Sequence, residues 1–371
     1  MPPIRVLIVD DSVVTRRLLA DCLGGDPDIE VAGTAATGRI ALAKITQVNP
    51  DVITLDVEMP DMDGIQTLIE LRKLYPRLPV IMFSSLTERG AASTIDALAH
   101  GASDYVTKPS NAGSVASALQ CVRDELIPKV KALCVRRPAE TPAPPEAAAA
   151  AAATVARLAP SGTRRIEVLA IGVSTGGPNA LAQLIPELPA SLPVPVVIVQ
   201  HMPPMFTKLL ADHLSGSSKL PVREAAAGEI LASGHVWIAP GDHHLVVARA
   251  GGGVELRVNQ APHENSCRPS VDVLFRSVAE VYGEHALAIV LTGMGQDGLI
   301  GATWIKERRG TVLVQDEASS VVWGMPGYVA RAGLADRVLP LDAIARTIVG
   351  MTGARRPPSD VGDARAVVGA R

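Results

Sequence analysis

Short runs of β-branched and aliphatic residues recur along this chain, and most end in a residue able to do chemistry. Val6–Val9, Val52–Leu55, Val80–Phe83 and Tyr105–Thr107 come first. Val168–Gly172, Val194–Val199, Val236–Ala239, Ala288–Thr292 and Thr311–Gln315 follow. Stretches with helical spacing, such as Thr15–Leu23, Ile65–Leu74 and Ala92–His100, fall between them. Apolar runs without polar alternation belong to strands buried on both faces. Strands alternating with helices build doubly wound parallel sheets, so the expected fold class is α/β with two such domains. In these sheets sites form at the carboxyl ends of the strands. The residues to inspect are therefore those that close each run.

Length and composition agree with two domains. The chain has 371 residues, of which 47% are hydrophobic and 20% charged. That is enough to bury a core in each of two units. With 3 Trp, 4 Tyr and 3 Phe, the cores must be built from Ala, Val, Leu and Ile. A formal charge of −3 and so few rings argue against a nucleic-acid partner. No run is long enough for a signal peptide or a membrane span, so a cytoplasmic protein that is not membrane-inserted is expected. Cys22, Cys121, Cys134 and Cys267 lie far apart and form no CxxC pair, which suits reduced thiols. A Pro/Ala-rich segment from about 136 to 164 reads as a linker, and the Gly/Pro/Arg/Ala stretch from 352 to 371 as a frayed tail.

In the first half the runs end in Asp10 and Asp11, in Asp56, in Ser84 and Ser85, and in Lys108. In one parallel sheet all of these meet at one edge. Clustered carboxylates repel, and a hard divalent cation such as Mg²⁺ relieves that repulsion. A carboxylate beside that metal can attack a phosphoryl donor, while a lysine and a hydroxyl hold the phosphoryl oxygens. Each aspartate alone reads as well as a helix cap. Four such features after four strands do not.

In the second half Val168–Gly172 runs into Val173-Ser174-Thr175-Gly176-Gly177-Pro178, which satisfies G-x-S-x-G. A nucleophilic serine, a phosphate-binding loop and a plain turn all fit that segment. Val194–Val199 leads to Gln200-His201-Met202, and Ala288–Thr292 to Gly293-Met294-Gly295-Gln296-Asp297-Gly298. Ser174, His201 and Asp297 thus occupy three strand ends and suggest a serine hydrolase with a supported imidazole. The order Ser, His, Asp differs from that of lipases and esterases. His243 and His244 rival His201, and Pro269-Ser270-Val271-Asp272 reads as a helix start without an assigned role.

Val9-Asp10-Asp11-Ser12, Leu55-Asp56-Val57-Glu58-Met59-Pro60 and Val106-Thr107-Lys108-Pro109 resemble a bacterial response-regulator receiver domain over residues 3–125. The resemblance implies a flavodoxin-like fold with Asp56 as phospho-acceptor. Mg²⁺ would sit on Asp10, Asp11, Asp56 and the Glu58 carbonyl. Lys108, Ser84 and Tyr105 would be the phosphoryl-binding and switch residues, with Ser84 favoured over Ser85 for the hydroxyl.

Residues 165–351 resemble a CheB-type methylesterase domain, through the three motifs above together with Pro269–Phe275 and Gly324-Met325-Pro326. The linker would then span residues 126–164. This implies Ser174, His201 and Asp297 as catalytic residues, the Met294 N–H as an oxyanion donor and Thr175 as an aid in orienting His201. The implied activity removes methyl groups from glutamate γ-methyl esters of chemotaxis receptors, deamidates receptor glutamines, and needs no cofactor for the ester chemistry. A chemotaxis histidine kinase would supply the phosphoryl group, and the unphosphorylated receiver would cover the Ser174 cleft. The same hydrolase in another chemosensory pathway, or a receiver with a non-catalytic binding domain, would also suit the sequence.

Overall fold

The computed structural model describes residues 2–109, 115–134 and 165–354, so most of the linker and tail expected from sequence lies outside the described residues. The first sheet contains β1 (Ile4–Val9), β2 (Ile29–Ala35), β3 (Val52–Asp56), β4 (Val80–Ser84) and β5 (Asp104–Thr107), in the order β2-β1-β3-β4-β5. Every pairing in it is parallel. Helices α1 (Val13–Gly24), α2 (Gly38–Val48), α3 (Gly64–Leu74), α4 (Glu88–Ala99) and α5 (Val115–Leu133) cover its faces. Ser12, Thr37, Asp63 and Thr87 cap the first four helices through their side chains. The order reverses between β1 and β3, which opens a crevice where Asp10 and Asp56 emerge.

One strand shows no apolar run and one boundary differs from expectation. Strand β2, which a flavodoxin-like fold requires, is only partly buried and mixes polar with apolar residues. Helix α5 runs on through Pro128 to Leu133, past the expected domain end at 125. Val122, Leu126, Ile127 and Val130 are packed into the first domain's core, and that burial carries the helix onward.

The second sheet is built from β6 (Val168–Val173), β7 (Val196–Gln200), β8 (Val222–Glu224), β9 (Val236–Ile238), β12 (Ala286–Val290), β13 (Thr311–Gln315) and β14 (Arg337–Leu339). Its order is β14-β13-β12-β6-β7-β9-β8, again all parallel. Strand β6 enters first and lies between β12 and β7, so the switch point falls where Ser174, His201 and Asp297 leave the sheet. Helices α6 (Gly177–Leu184), α7 (Phe206–Ser217), α8 (Val271–Tyr282), α9 (Leu299–Glu307), α10 (Met325–Arg331) and α11 (Leu341–Thr352) pack around it. Unforeseen from sequence is an antiparallel hairpin, β10 (His244–Ala250) with β11 (Gly253–Asn259). Leu245, Val247 and Leu256 join Leu274, Phe275 and Val278 of α8 in one apolar cluster. Strand β11 buries only Leu256 and shows no continuous apolar run, and β10 offers only the short run Leu245–Ala248.

The two domains touch. The Tyr105 ring lies on the Phe206 ring at 4.9 Å between centroids and 7° between planes. Asn179 Nδ2 donates to the Ala102 carbonyl at 2.8 Å.

Candidate functional site

The first site sits at the β1/β3 crevice. Asp10 and Asp56 are buried and Asp11 is exposed, and ligand oxygens of all three lie within 4.8 Å of one another. Lys108 Nζ is 2.8 Å from Asp56 Oδ1 and 3.5 Å from Asp10 Oδ2. Asp10 Oδ2 and Asp56 Oδ2 are buried and accept no hydrogen bond. Burial pushes the Asp56 carboxyl up to about 6; Lys108 opposes that rise and Asp10 adds to it. Two buried carboxylate oxygens that accept no hydrogen bond, one of them facing Lys108 at 3.5 Å, form a hard, anionic seat that fits a divalent cation. Glu58 is exposed, and its backbone N–H donates to Asp56 Oδ1 at 3.3 Å.

Ser84 closes β4 and is fully buried, and its hydroxyl donates to the Gly90 carbonyl at 3.0 Å. Ser85 faces Thr87 at the surface instead. Lys108 N–H donates to the Ser84 carbonyl at 2.7 Å, tying the ends of β4 and β5 together. Tyr105 lies on β5 with its ring buried against Phe206. Lys129 Nζ donates to the Tyr105 carbonyl at 2.6 Å and sits 5.1 Å from its ring centroid.

The second site is at the β6/β12 switch point. Ser174 follows β6, and its N–H donates to the Thr292 carbonyl at 3.0 Å. The bend after it uses Gly176 at φ +74°, a conformation that suits glycine. Gly172 lets α8 close onto the strand, because a Cβ there would lie 2.3 Å from Val271 Cγ1. His201 directly follows β7, and Gln200 Nε2 donates to both the Ser174 and His201 carbonyls at 3.0 and 3.1 Å. That one side chain fixes the spacing of the two loops.

His201 Nε2 is 2.8 Å from Asp297 Oδ2, while its Nδ1 faces Cys267 Sγ at 3.7 Å. Asp297 Oδ1 accepts from Ser270 Oγ at 2.8 Å, and Oδ2 accepts from the Val271 N–H at 2.7 Å. Burial alone would raise the Asp297 carboxyl, but His201 and the amides of Val271 and Asp272 bring it down to about 2. Burial acts to lower the His201 imidazole; Asp297 and Cys267 outweigh it and favour the protonated ring.

Ser174, His201, Thr175 and Met294 line one cavity of about 740 Å³. Gly293 brings the Met294 loop close, since a Cβ on Gly293 would lie 2.8 Å from Ser174 Cβ. The Gly293 carbonyl is pinned by the N–H groups of Gly324 and Met325 at 3.1 and 2.8 Å, which joins two motifs far apart in sequence. Thr175 is buried and lines the same cavity, while the His201 ring nitrogens face Asp297 and Cys267. His244 is spent elsewhere: its Nδ1 accepts the Ser270 N–H and its Nε2 faces the Pro262 carbonyl. The far wall of the cavity comes from the first domain, through Asp104, Tyr105, Glu125 and Lys129. Cys267, Asn265, Ser270 and Phe206 at these surfaces carry no run-end signal in the sequence.

A Ser, His and Asp set in one cavity, walled on its far side by a domain with a buried acidic pocket, has the layout of a response-regulator hydrolase. Family models agree: residues 6–120 match the response regulator receiver domain and residues 169–348 match CheB methylesterase. A protein-glutamate methylesterase/protein-glutamine glutaminase of Trichodesmium erythraeum is 54% identical over 95% of this chain and 100% of its own length. One from Nocardioides is 53% identical over 96% and 98%. The CheB methylesterase catalytic domain of Thermotoga maritima is 44% identical, with TM-score 0.50, covering 50% of this chain and 98% of that one. The chain belongs to the CheB methylesterase family, as a member with a receiver domain in front. Among the described residues no helix is long and apolar enough to cross a membrane.

Proposed function

We propose that this chain hydrolyses glutamate γ-methyl esters on methyl-accepting chemotaxis receptors, releasing methanol, and deamidates receptor glutamines. The carrying observation is that Ser174, His201 and Asp297 share one strand-end cavity, with imidazole and carboxylate 2.8 Å apart. Ser174 Oγ attacks the ester carbonyl. Its proton passes to Nδ1 of His201 in the neutral form of the ring, because Nε2 is held by Asp297. Asp297 keeps the ring oriented and stabilises the imidazolium that forms. The Met294 N–H faces the developing oxyanion, a contact of the kind worth about 3–4 kcal/mol. Imidazolium returns the proton to the departing methoxide, and water then hydrolyses the acyl-serine by the same path reversed. An amide side chain enters the same acyl intermediate with loss of ammonia, so one site serves both substrates.

The receiver controls this site. Asp56 takes a phosphoryl group from a chemotaxis histidine kinase, and Lys108 and Ser84 stand ready to hold it. Asp10, Asp11, Asp56 and the Glu58 carbonyl would hold Mg²⁺, which supplies positive charge to the phosphoryl oxygens. The unphosphorylated receiver, seated on α7 through Tyr105 and Phe206, narrows access to Ser174. Phosphorylation shifts the population toward an open arrangement. Both partners place the enzyme in the cytoplasm. Methanol release from methylated receptor membranes tests this: Ser174→Ala abolishes it, and Asp56→Ala removes its stimulation by a small-molecule phosphodonor. Undiminished release by Ser174→Ala would overturn the assignment.

A further inference from the structure

Asp297 orients His201, and Asp297 is in turn held by donors on both of its oxygens. We propose that Asn265 is a positioning residue for the esterase reaction, its side-chain amide bridging Asp297 to a second buried carboxylate, Asp272. The inference rests on the assignment of Asp297 as the partner of His201.

Asn265 Nδ2 is 2.9 Å from Asp297 Oδ1 and 2.7 Å from Asp272 Oδ2. An amide nitrogen carries two hydrogens, so both bonds form at once. Asp272 is fully buried, and its Oδ1 accepts the Gly301 N–H at 2.6 Å. Burial first, and the nearby Asp297 charge second, push the Asp272 carboxyl up to about 6. Two carboxylates this close repel when both are ionised, and a shared donor offsets that repulsion. Asn265 is the side chain that gives hydrogen to both.

The remaining donors to Asp297 explain the Pro269–Asp272 motif. Ser270 Oγ and the N–H groups of Asp272 and Gly298 reach Oδ1 at 2.8, 3.0 and 3.0 Å. The first turn of α8 therefore faces Asp297 with backbone N–H groups, and Asn265 completes the ring of donors from the loop side. Asn265 stands at φ +54°, a conformation asparagine tolerates better than most residues. Its turn is closed by paired bonds between Glu264 and Cys267. Arg276 grips both Glu264 oxygens at 3.0 and 2.9 Å. The amide is thus delivered by a turn that is itself anchored to α8. The titratable groups facing this seat are His201, Asp272, Cys267, His244 beneath Ser270, and Glu264 balanced by Arg276. Asp104, Glu125 and Lys129 of the receiver stand across the cavity.

The test is full-length Asn265→Ala and Asn265→Asp beside Ser174→Ala. Methanol release is followed against pH, with circular dichroism confirming the fold. Asn265→Ala is expected to lower kcat by about ten- to a hundredfold, with KM held within about twofold. Asn265→Asp is expected to lose more. Its added negative charge raises the His201 pKa, so the acid limb of the rate profile moves to higher pH. Folded Asn265 variants with parental kcat and pH profile, while Ser174→Ala is inactive, overturn the role of Asn265 alone. Retained activity in Ser174→Ala overturns the hydrolase reading and this inference with it.

Discussion

Replacing Asp56 by asparagine should stabilise the receiver domain above neutral pH, although it deletes the phospho-acceptor. In the folded protein the carboxyl titrates at about 6 because burial outweighs the Lys108 contact. An unperturbed aspartate titrates about two units lower. Each unit corresponds to about 1.4 kcal/mol, so ionised Asp56 costs the fold about 3 kcal/mol when fully charged. The sign follows from the raised folded pKa. Above pH 6 the whole penalty is present, between pH 6 and 4 it fades, and below pH 4 both states are protonated and it vanishes. The side chain is 2% exposed, so solvent screening does not reduce the figure much. Lys108 is not stranded by the change, since Asp10 Oδ2 remains 3.5 Å away. Thermal unfolding followed by far-ultraviolet circular dichroism, in chelator, should place the receiver transition of Asp56→Asn higher at pH 8, by on the order of 10 °C. Added Mg²⁺ should narrow the gap by neutralising the wild-type pocket. A wild type more stable than Asp56→Asn at pH 8 would show that the Lys108 attraction exceeds the burial penalty. A gap that persists at pH 4 would remove ionisation as its cause.

Three further outcomes follow from the second site and the interface. Asn179→Ala removes a cross-domain hydrogen bond worth about 1 kcal/mol, so the rate without phosphodonor should rise about fivefold; an unchanged basal rate would detach that contact from autoinhibition. Asp297→Asn should cut kcat by about 10⁴-fold. The residual rate should keep its activity to lower pH, because His201 loses the carboxylate that favours its protonated form. Iodoacetamide should inactivate the enzyme by alkylating Cys267, which shares the cavity with His201 at 3.7 Å. Cys267→Ala, whatever its starting rate, should then lose nothing further on treatment, as measured by methanol release with mass spectrometry of the labelled thiol.

The strand-end residues were legible because their position depends on one rule. A buried apolar run in a parallel sheet delivers its next residue to the carboxyl edge, whatever the loops do. Asp10, Asp56, Ser84, Ser174 and His201 all follow it, while Asp297 lies seven residues past β12, beyond the glycine-rich loop. Asn265 and Cys267 belong to a turn stabilised by local bonds and by Arg276, with neither helical nor strand period. Their neighbours in space, Asp297 and His201, are set by the strand order β12-β6-β7, which spacing along the chain does not reveal. Hairpin β10–β11 was harder to read: Leu245–Ala248 is only a short run, and β11 alternates polar with apolar beside glycines 251–253, which resembles a loop.

The scarcity of rings makes the domain contact more telling. Tyr105 spends one of the chain's 4 tyrosines on Phe206, one of its 3 phenylalanines. Strand β5 carries Tyr105, and Lys108 follows three residues later, with its N–H held by Ser84 and its ammonium on Asp56. A phosphoryl group on Asp56 would draw on both Lys108 and the Ser84 hydroxyl, which now donates to Gly90. The Gly90 carbonyl, in α4, also accepts the Thr94 hydroxyl at 2.7 Å, and Ala102 beyond that helix is the residue Asn179 grips. The aspartate pocket and the Phe206 contact are therefore linked through one strand and one helix.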